Sequence, residues 1–454
     1  MRFCGPVLLA LFIGDSPGIR AQWWADAGLP VDLPNQVTQI YNDTLNDALY
    51  FTGYLVDNYQ QPEQAWHFAK YQAGNWEVSA PFSNIVFTVV NYHDTLFAGG
   101  FFDTVDGDTI HNIACNVNGE WQPCGELNDV VYRLRIVDGT LYALGGFTVA
   151  NGEICNGVAR WHGGQWQSMG LLPATFNMVR DIVRYNDELV VAGTISNIDG
   201  IHHNIFHLVN GVWSPLGGGI LGGFAAANPL IVYKNELYVG GLIDIFDGNA
   251  GHGIMRWDGQ AWHSLGTGIQ DESNSYNYTI QAGAFQVRDD LLYVGGSFDY
   301  AGNIPANRTA TWDGNQWCSL GGNFGDGPVG ALSFFHDTLF VGCFTEADGE
   351  PVNYAARFVA PAFEHNCSVS MGVESNEESE SGSALLLDLG GGWYTINMIR
   401  ADGDLSVLNN MGALVCKRSL HWSERGSEAF RLDGLAAGIY VLEVEGAQRL
   451  KFFK

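Results

Sequence analysis

One pattern recurs about seven times along this chain and limits its possible folds more than any single residue. The sixth copy reads Leu292-Tyr293-Val294-Gly295-Gly296-Ser297-Phe298, then Trp312-Asp313-Gly314-Asn315-Gln316-Trp317, then Leu320-Gly321. The third reads Leu141-Tyr142-Ala143-Leu144-Gly145-Gly146-Phe147, then Trp161-His162-Gly163-Gly164-Gln165-Trp166, then Met169-Gly170. The aligned leucines are Leu49, Leu96, Leu141, Leu189, Leu237, Leu292 and Leu339, at intervals of 47, 45, 48, 48, 55 and 47 residues. Length alone (454 residues) points to about three domains. A repeat overrides that expectation, because stacked units form one continuous body.

Each unit parses into four short strands. An apolar run such as Ile182-Val183-Arg184-Tyr185 meets a polar turn at Asn186-Asp187-Glu188, where side chains bond local backbone. The leucine run follows. Next comes a loop that often carries Asp-Gly, as at Asp106-Gly107, Asp199-Gly200, Asp247-Gly248 and Asp348-Gly349. The third strand ends in an aromatic, as in Ala159-Arg160-Trp161. An Asp-Gly or Asn-Gly turn, tolerant of positive φ, then leads to a fourth strand starting at Trp76, Trp121, Trp166, Trp213, Trp262 or Trp317. A period in the forties with strands and Gly-rich turns predicts a β-propeller. The Gly-Gly pair fits places where backbones crowd. The repeated Trp fits packing between units.

The seventh copy has Leu339-Phe340-Val341-Gly342 and Ala355-Ala356-Arg357-Phe358 but no fourth strand with Trp. Gln22-Trp23-Trp24-Ala25-Asp26-Ala27-Gly28 resembles the missing piece, Gln165-Trp166-Gln167-Ser168-Met169-Gly170. The expectation is a seven-bladed β-propeller over residues 22–360, all-β, with four-stranded blades and the N-terminal strand closing the last. The pattern aliphatic-Tyr-Val-Gly-Gly-x-Phe followed by Trp-Asp-Gly-x-x-Trp resembles kelch-like propeller repeats. That resemblance implies the fold and leaves activity open.

Residues 1–21 read as a secretory signal: Arg2, the apolar run Val7-Leu8-Leu9-Ala10-Leu11-Phe12-Ile13, and Ala21 as a small cleavage residue. No stretch approaches the roughly 18 consecutive apolar residues of a membrane span, so no transmembrane segment is expected. The formal net charge of −28 repels phosphate backbones and argues against a nucleic-acid partner. No CxxC or Cys/His metal spacing occurs. Cys115 and Cys124 flank the turn Asn118-Gly119. A two-residue turn sets Cys115 opposite Gln122, so the two cysteines are diagonal on one face and a bridge between them is marginal.

Residues 361–383 form a polar, acidic linker with Glu374, Glu377, Glu378 and Glu380. Strand-like runs then return, and 384–454 predict a small C-terminal β-sandwich. Met411-Gly412 with Val415, the run Leu435-Ala436-Ala437-Gly438-Ile439-Tyr440-Val441-Leu442, and the terminal Leu450-Lys451-Phe452-Phe453-Lys454 resemble the C-terminal sorting domain of the type IX secretion system of Bacteroidota. The Pro-Asn-Pro motif with which that family usually opens is absent from Leu385-Leu386-Leu387-Asp388-Leu389-Gly390. The resemblance implies export through the periplasm, engagement of the type IX machinery by 384–454, and release or attachment at the outer cell surface.

No His-Glu-x-x-His, Walker loop or Gly-x-Ser-x-Gly occurs. No catalytic residue, metal site or cofactor is therefore assigned. Candidate ligand contacts come from places where the copies differ. His111, His202, His203 and His252 lie in loops between second and third strands, out of common register. Tyr276 and Tyr278 lie in the longest connector, within the 55-residue interval, amid Ser and Asn that suit adaptable recognition. Asn112, Asn156, Asn204, Asn307 and Asn353 recur nearby, as expected of short polar side chains bonding local backbone. The expected function is non-catalytic binding of a protein or glycan. The alternative is a secreted glycan-active hydrolase, lyase or oxidase, whose acid and base would converge at the mouth of the propeller.

Overall fold

The computed structural model describes residues 23–30, 37–56, 65–197, 202–222, 227–270, 281–325, 327–342, 345–360 and 367, and the strands between 385 and 453. The predicted signal (1–21), most of the acidic linker, and Tyr276 and Tyr278 lie outside the described residues. The chain divides into two units, 1–365 and 366–454. Among the described residues there are strands, turns and two 3-10 segments, but no α-helix. No helix there is long and apolar enough to cross a membrane.

The strands of the first unit follow the repeat. Val131–Val137, Thr140–Gly145, Val158–His162 and Gln165–Ser168 form one antiparallel sheet in chain order. The sheets starting at Ala174–Tyr185, Ala227–Tyr233 and Gln281–Arg288 repeat that order. The first two copies make the same ladders, joined into one larger sheet by a single pairing of Gly53 with Val86. The last sheet draws on both ends of the unit. Trp24–Asp26 pairs with Ala355–Phe358, beside Thr338–Gly342 and Ala331–Phe335.

Turn chemistry explains the ladders. Strands one and two are joined by two residues that both have positive φ, as at Asn186 (47°) with Asp187 (63°) and Asp289 (50°) with Asp290 (60°). That backbone matches the twist of a hairpin, and Asn and Asp tolerate it best among residues with a Cβ. Asn118-Gly119 does the same between strands three and four. The Asp-Gly turns of copies five and six are different. Asp258 Oδ1 accepts the Gln260 and Ala261 amides, and Asp313 Oδ1 accepts those of Asn315 and Gln316.

Packing between sheets also repeats. The first strand of each sheet lies beside the first strand of the next, and Ala331–Phe335 returns to lie beside Val37–Asp43. The succession of neighbours therefore closes on itself. A hydrophobic cluster fills each gap. Between the second and third sheets it comprises Val90, Phe97, Ile113, Leu134, Leu141, Ala143 and Trp166 among others. Six of the seven aligned leucines are buried, each worth about 2 kcal/mol of burial. Glycine is required where strands one and two cross closely: a Cβ on Gly145 would sit 2.0 Å from the Val130 carbonyl oxygen.

Three of the repeated tryptophans are inter-sheet stitches. Trp166 Nε1 donates to the Cys124 carbonyl at 2.8 Å, Trp213 to Met169 at 2.9 Å and Trp317 to Leu265 at 2.9 Å. Each carbonyl lies just after the fourth strand of the preceding sheet. Trp24 does the same for the last sheet, donating to Gly321 at 3.3 Å. Burying such a ring brings large apolar area and a satisfied N–H together.

One sequence expectation is corrected. Cys115 and Cys124 are joined in a disulfide with Cα atoms 5.7 Å apart. Cys115 does face Gln122, and the ladder ends at Pro123. The diagonal is nevertheless within bonding range, because strand twist draws one pair of diagonal neighbours together.

The second unit contains two antiparallel sheets. Leu385–Gly390, Trp393–Asn397 and Ser427–Arg431 form one. Leu414–Leu420, Gly403–Asn409, Ile439–Val444 and Arg449–Phe453 form the other in that order.

Candidate functional site: a cationic cavity among the first strands

The first strands surround a cavity of about 480 Å³, lined by residues of Val37–Asp43, Val131–Val137, Ala227–Tyr233, Gln281–Arg288 and Ala331–Phe335. Six of the seven first strands contain a β-bulge, for example between Val131 and Arg133 and between Val179 and Asp181. A bulge adds one unpaired residue and re-aims the side chains around it. Here the added residues include Thr38, Phe87, Tyr132 and Arg180. They lie at the end of the first strands where the connectors arrive. The small hairpins between second and third strands also sit there, since Leu127 in one connector bridges to Ala150 in such a hairpin.

Polar side chains just past the bulges have a structural task. Gln39 Oε1 accepts the Val89 amide at 3.0 Å, Thr88 Oγ1 accepts Leu134 at 3.0 Å, and Asp181 Oδ2 accepts Leu230 at 2.9 Å. Each satisfies a backbone N–H on the exposed edge of the neighbouring first strand, which would otherwise be orphaned. Asp181 is wholly buried. Its Oδ1 also accepts Ile182 N, and Arg135 Nη1 donates to both of its oxygens at 2.6 and 2.8 Å. This carboxylate is fully occupied.

The cations are not. Arg133 stands 3.9 Å from Asp181 Oδ1, with 24% of its side chain exposed to the cavity. Arg180 lies over the Tyr132 ring, 3.8 Å from its centroid. Its Nη2 contacts Met178 Sδ at 3.7 Å, and no carboxylate among the described residues pairs with it. Burial pushes both guanidinium groups below their ordinary pKa. The Asp181 charge opposes this at Arg133, and Tyr132 and Tyr54 oppose it at Arg180. That is the signature of a positive charge held away from water without full compensation. An aromatic arc continues from Tyr132 to Phe87 (5.4 Å) and on to Tyr54 (6.3 Å). Three arginines against one carboxylate thus form a local positive field in a chain of net charge −28.

The histidines singled out from sequence do not come together here, and each has local contacts. His111 Nδ1 meets Asp103 Oδ1 at 2.9 Å on an exposed hairpin. His202 Nδ1 meets Ser196 Oγ at 3.1 Å, and His203 Nδ1 lies 2.9 Å from the Gly218 carbonyl. His252 is largely buried, and its Nδ1 makes no hydrogen bond. No group of three His, Cys, Asp or Glu able to hold a metal occurs among the described residues.

The recurrent asparagines tie the start of the third strand to the connector after the fourth. Asn112 donates to Leu127 O, Asn156 to Leu172 O, Asn204 to Ile220 O, Asn307 to Gly322 O and Asn353 to Leu29 O.

Arg133, Arg135, Arg180, Tyr54 and Tyr132 are not apparent as a site in the sequence. A signal was present: Arg133-x-Arg135 and Arg180-Asp181 put four charges into two consecutive first strands of a chain with only 15% charged residues.

These features define a class: an all-β protein of repeated four-stranded sheets around a cavity lined by Arg133 and Arg135, with Arg180 and an aromatic arc beside it. No protein-family model matches the chain, and no curated protein matches it.

Proposed function

We propose that the first unit is a seven-bladed, kelch-like β-propeller that binds a protein or glycan without catalysis. In this reading the sheets are the blades, and the cavity is the axial mouth. The cyclic order of neighbouring first strands, the tryptophan stitch repeated from sheet to sheet, and the shared last sheet all support it. The chain is exported through the periplasm and reaches the outer cell surface or medium by the type IX system, engaged by residues 384–454. The disulfide between Cys115 and Cys124 fits an oxidising compartment.

One observation carries the binding reading over the enzymatic one. Asp181, the carboxylate that pairs with the cavity-lining Arg135, is saturated by that arginine and two backbone amides. A general acid or base needs a free valence toward substrate. Aromatic rings and guanidinium groups instead supply adhesion.

The test is a glycan array and a protein-partner screen with the full chain, together with product analysis on a polysaccharide panel. Saturable binding without products is expected. Turnover of any polysaccharide, with Asp181→Asn abolishing it, overturns the reading.

A further inference from the structure

We propose that the cavity, together with Arg180 and the rings beside it, is a subsite for a carboxylate-bearing sugar, a uronic acid residue of an acidic oligosaccharide; this rests on the binding reading above. The argument starts with charge. Arg133 and Arg180 stand on adjacent first strands; Arg133 has only a 3.9 Å contact with Asp181, and no described carboxylate pairs with Arg180. Asp181 cannot serve both, because Arg135 takes both of its oxygens.

Guanidinium groups poorly compensated in a half-enclosed space favour an anion with two planar oxygens, which a guanidinium edge meets with paired hydrogen bonds. Arg180 is already stacked on Tyr132, so its edge is held in place before any ligand arrives.

The aromatic arc supplies the second half of the recognition. Tyr132, Phe87 and Tyr54 stand beside the cavity, next to its lining residue Thr38, whose Oγ1 donates to the Phe87 carbonyl, with rings 5.4 and 6.3 Å apart. Such rings offer an apolar body, and the tyrosines add a polar tip. A sugar ring has this amphipathic character, with apolar C–H faces and hydroxyl edges. On the opposite side, Gly283 and Gly330 line the cavity and leave room for it. A free inorganic anion has no use for the rings, and a neutral sugar has no use for two guanidinium groups. A uronate uses both.

The whole-molecule field sets the ligand's size. A net charge of −28 repels polyanions at range. An acidic glycan is therefore held where the field reverses, which selects a short oligosaccharide or chain end over a long polymer lying across the surface.

The experiment is isothermal titration of the full chain with oligogalacturonate, the neutral oligosaccharide cellohexaose and dextran sulfate, at low and moderate salt. Arg180→Ala, Arg133→Gln and Arg180→Lys are compared with the parent after a thermal melt checks folding. Oligogalacturonate should bind, weaken about tenfold or more in Arg180→Ala and Arg133→Gln, recover in part in Arg180→Lys, and weaken with salt. Equal affinity for cellohexaose overturns the uronate inference and leaves the binding reading standing. So does binding of dextran sulfate alone, or oligogalacturonate binding indifferent to all three variants. If Arg180→Ala does not fold, Arg133→Gln and Arg180→Lys decide the matter. Cleavage of oligogalacturonate during the titration overturns the non-catalytic reading instead.

Discussion

Trp24 and Phe358 stand opposite each other in one antiparallel ladder, with ring centroids 5.3 Å apart and edge to face. The chain leaves Trp24, builds six other four-stranded ladders, and returns to pair with it. Trp24 is also packed on Phe324 and donates its Nε1 to Gly321. Its neighbour Trp23 and its own backbone N–H both donate to Asp348 Oδ2.

Closure through this residue should dominate the stability of the first unit. Trp24→Ala removes a wholly buried ring and should cost about 3–5 kcal/mol. Urea unfolding followed by tryptophan fluorescence measures it. A loss below about 1 kcal/mol would show that the last ladder is dispensable.

Asn204 should be the most sensitive of the recurrent asparagines. It is fully buried at φ +53°. Its amide donates to Ile220 O and Gly222 O, while its Oδ1 accepts Ile195 N. Asn204→Ala leaves those groups unpaired, at about 2–3 kcal/mol, and costs up to about 1 kcal/mol more because alanine tolerates the left-handed region less well than asparagine, whose side chain bonds local backbone. Asn204→Gly should recover the second part only. Paired denaturation midpoints for the two variants separate them.

Cys155 should be inert in the native protein. It is buried and free, and burial pushes its thiol up to about 11, with Glu153 adding and the Gly157 amide opposing. The thiolate is the reactive form. Iodoacetamide at a pH of about 8 should therefore leave Cys155 unlabelled until urea is added, as read by peptide mass spectrometry. Labelling of the folded chain at that site would contradict the packing.

Opening the Cys115–Cys124 bridge closes no native gap but frees the unfolded chain. For a sequence separation of 9, the chain-entropy estimate is about 2.5 kcal/mol. The double variant Cys115→Ala/Cys124→Ala should lose that amount in urea, without a change in far-ultraviolet circular dichroism.

His252 should contribute acid sensitivity. Burial holds its pKa below the ordinary value of 6.5, against the opposing charge of Asp244. The unfolded chain therefore takes up a proton below about pH 6.5 that the folded chain resists. Stability is undiminished above that pH and falls as the pH drops through the window between the unfolded and the lowered folded value. His252→Gln should flatten this part of the pH–stability curve. If the parent and variant curves run parallel from about pH 7.5 to 5, the imidazole is not desolvated.

What was legible in the sequence was local or periodic. The alternation of apolar residues, the positive-φ turn pairs and the one Trp per unit each act over a few residues, so the order of strands within a sheet could be read directly. The pairing of Trp24 with Phe358 was also legible, because the seventh copy lacks the piece that the N-terminus carries. Only the tertiary structure decided what the copies do to one another. The carbonyls that receive the N–H groups of Trp24, Trp166, Trp213 and Trp317, the connector that receives each Asn amide and the disulfide diagonal all depend on the stacking and twist of the sheets.

The cavity shows this most clearly. In sequence, Arg133, Arg180 and Asp181 look like ordinary charges on half-exposed strands. The bulges turn Tyr132 and Arg180 toward each other, and Asp181 is consumed by Arg135 and a neighbouring N–H. The sign of the space among the first strands is thus set by which charges remain uncompensated. Composition cannot report that, because −28 is a sum over the whole chain, whereas the field in a half-enclosed cavity depends on the few groups within several ångströms.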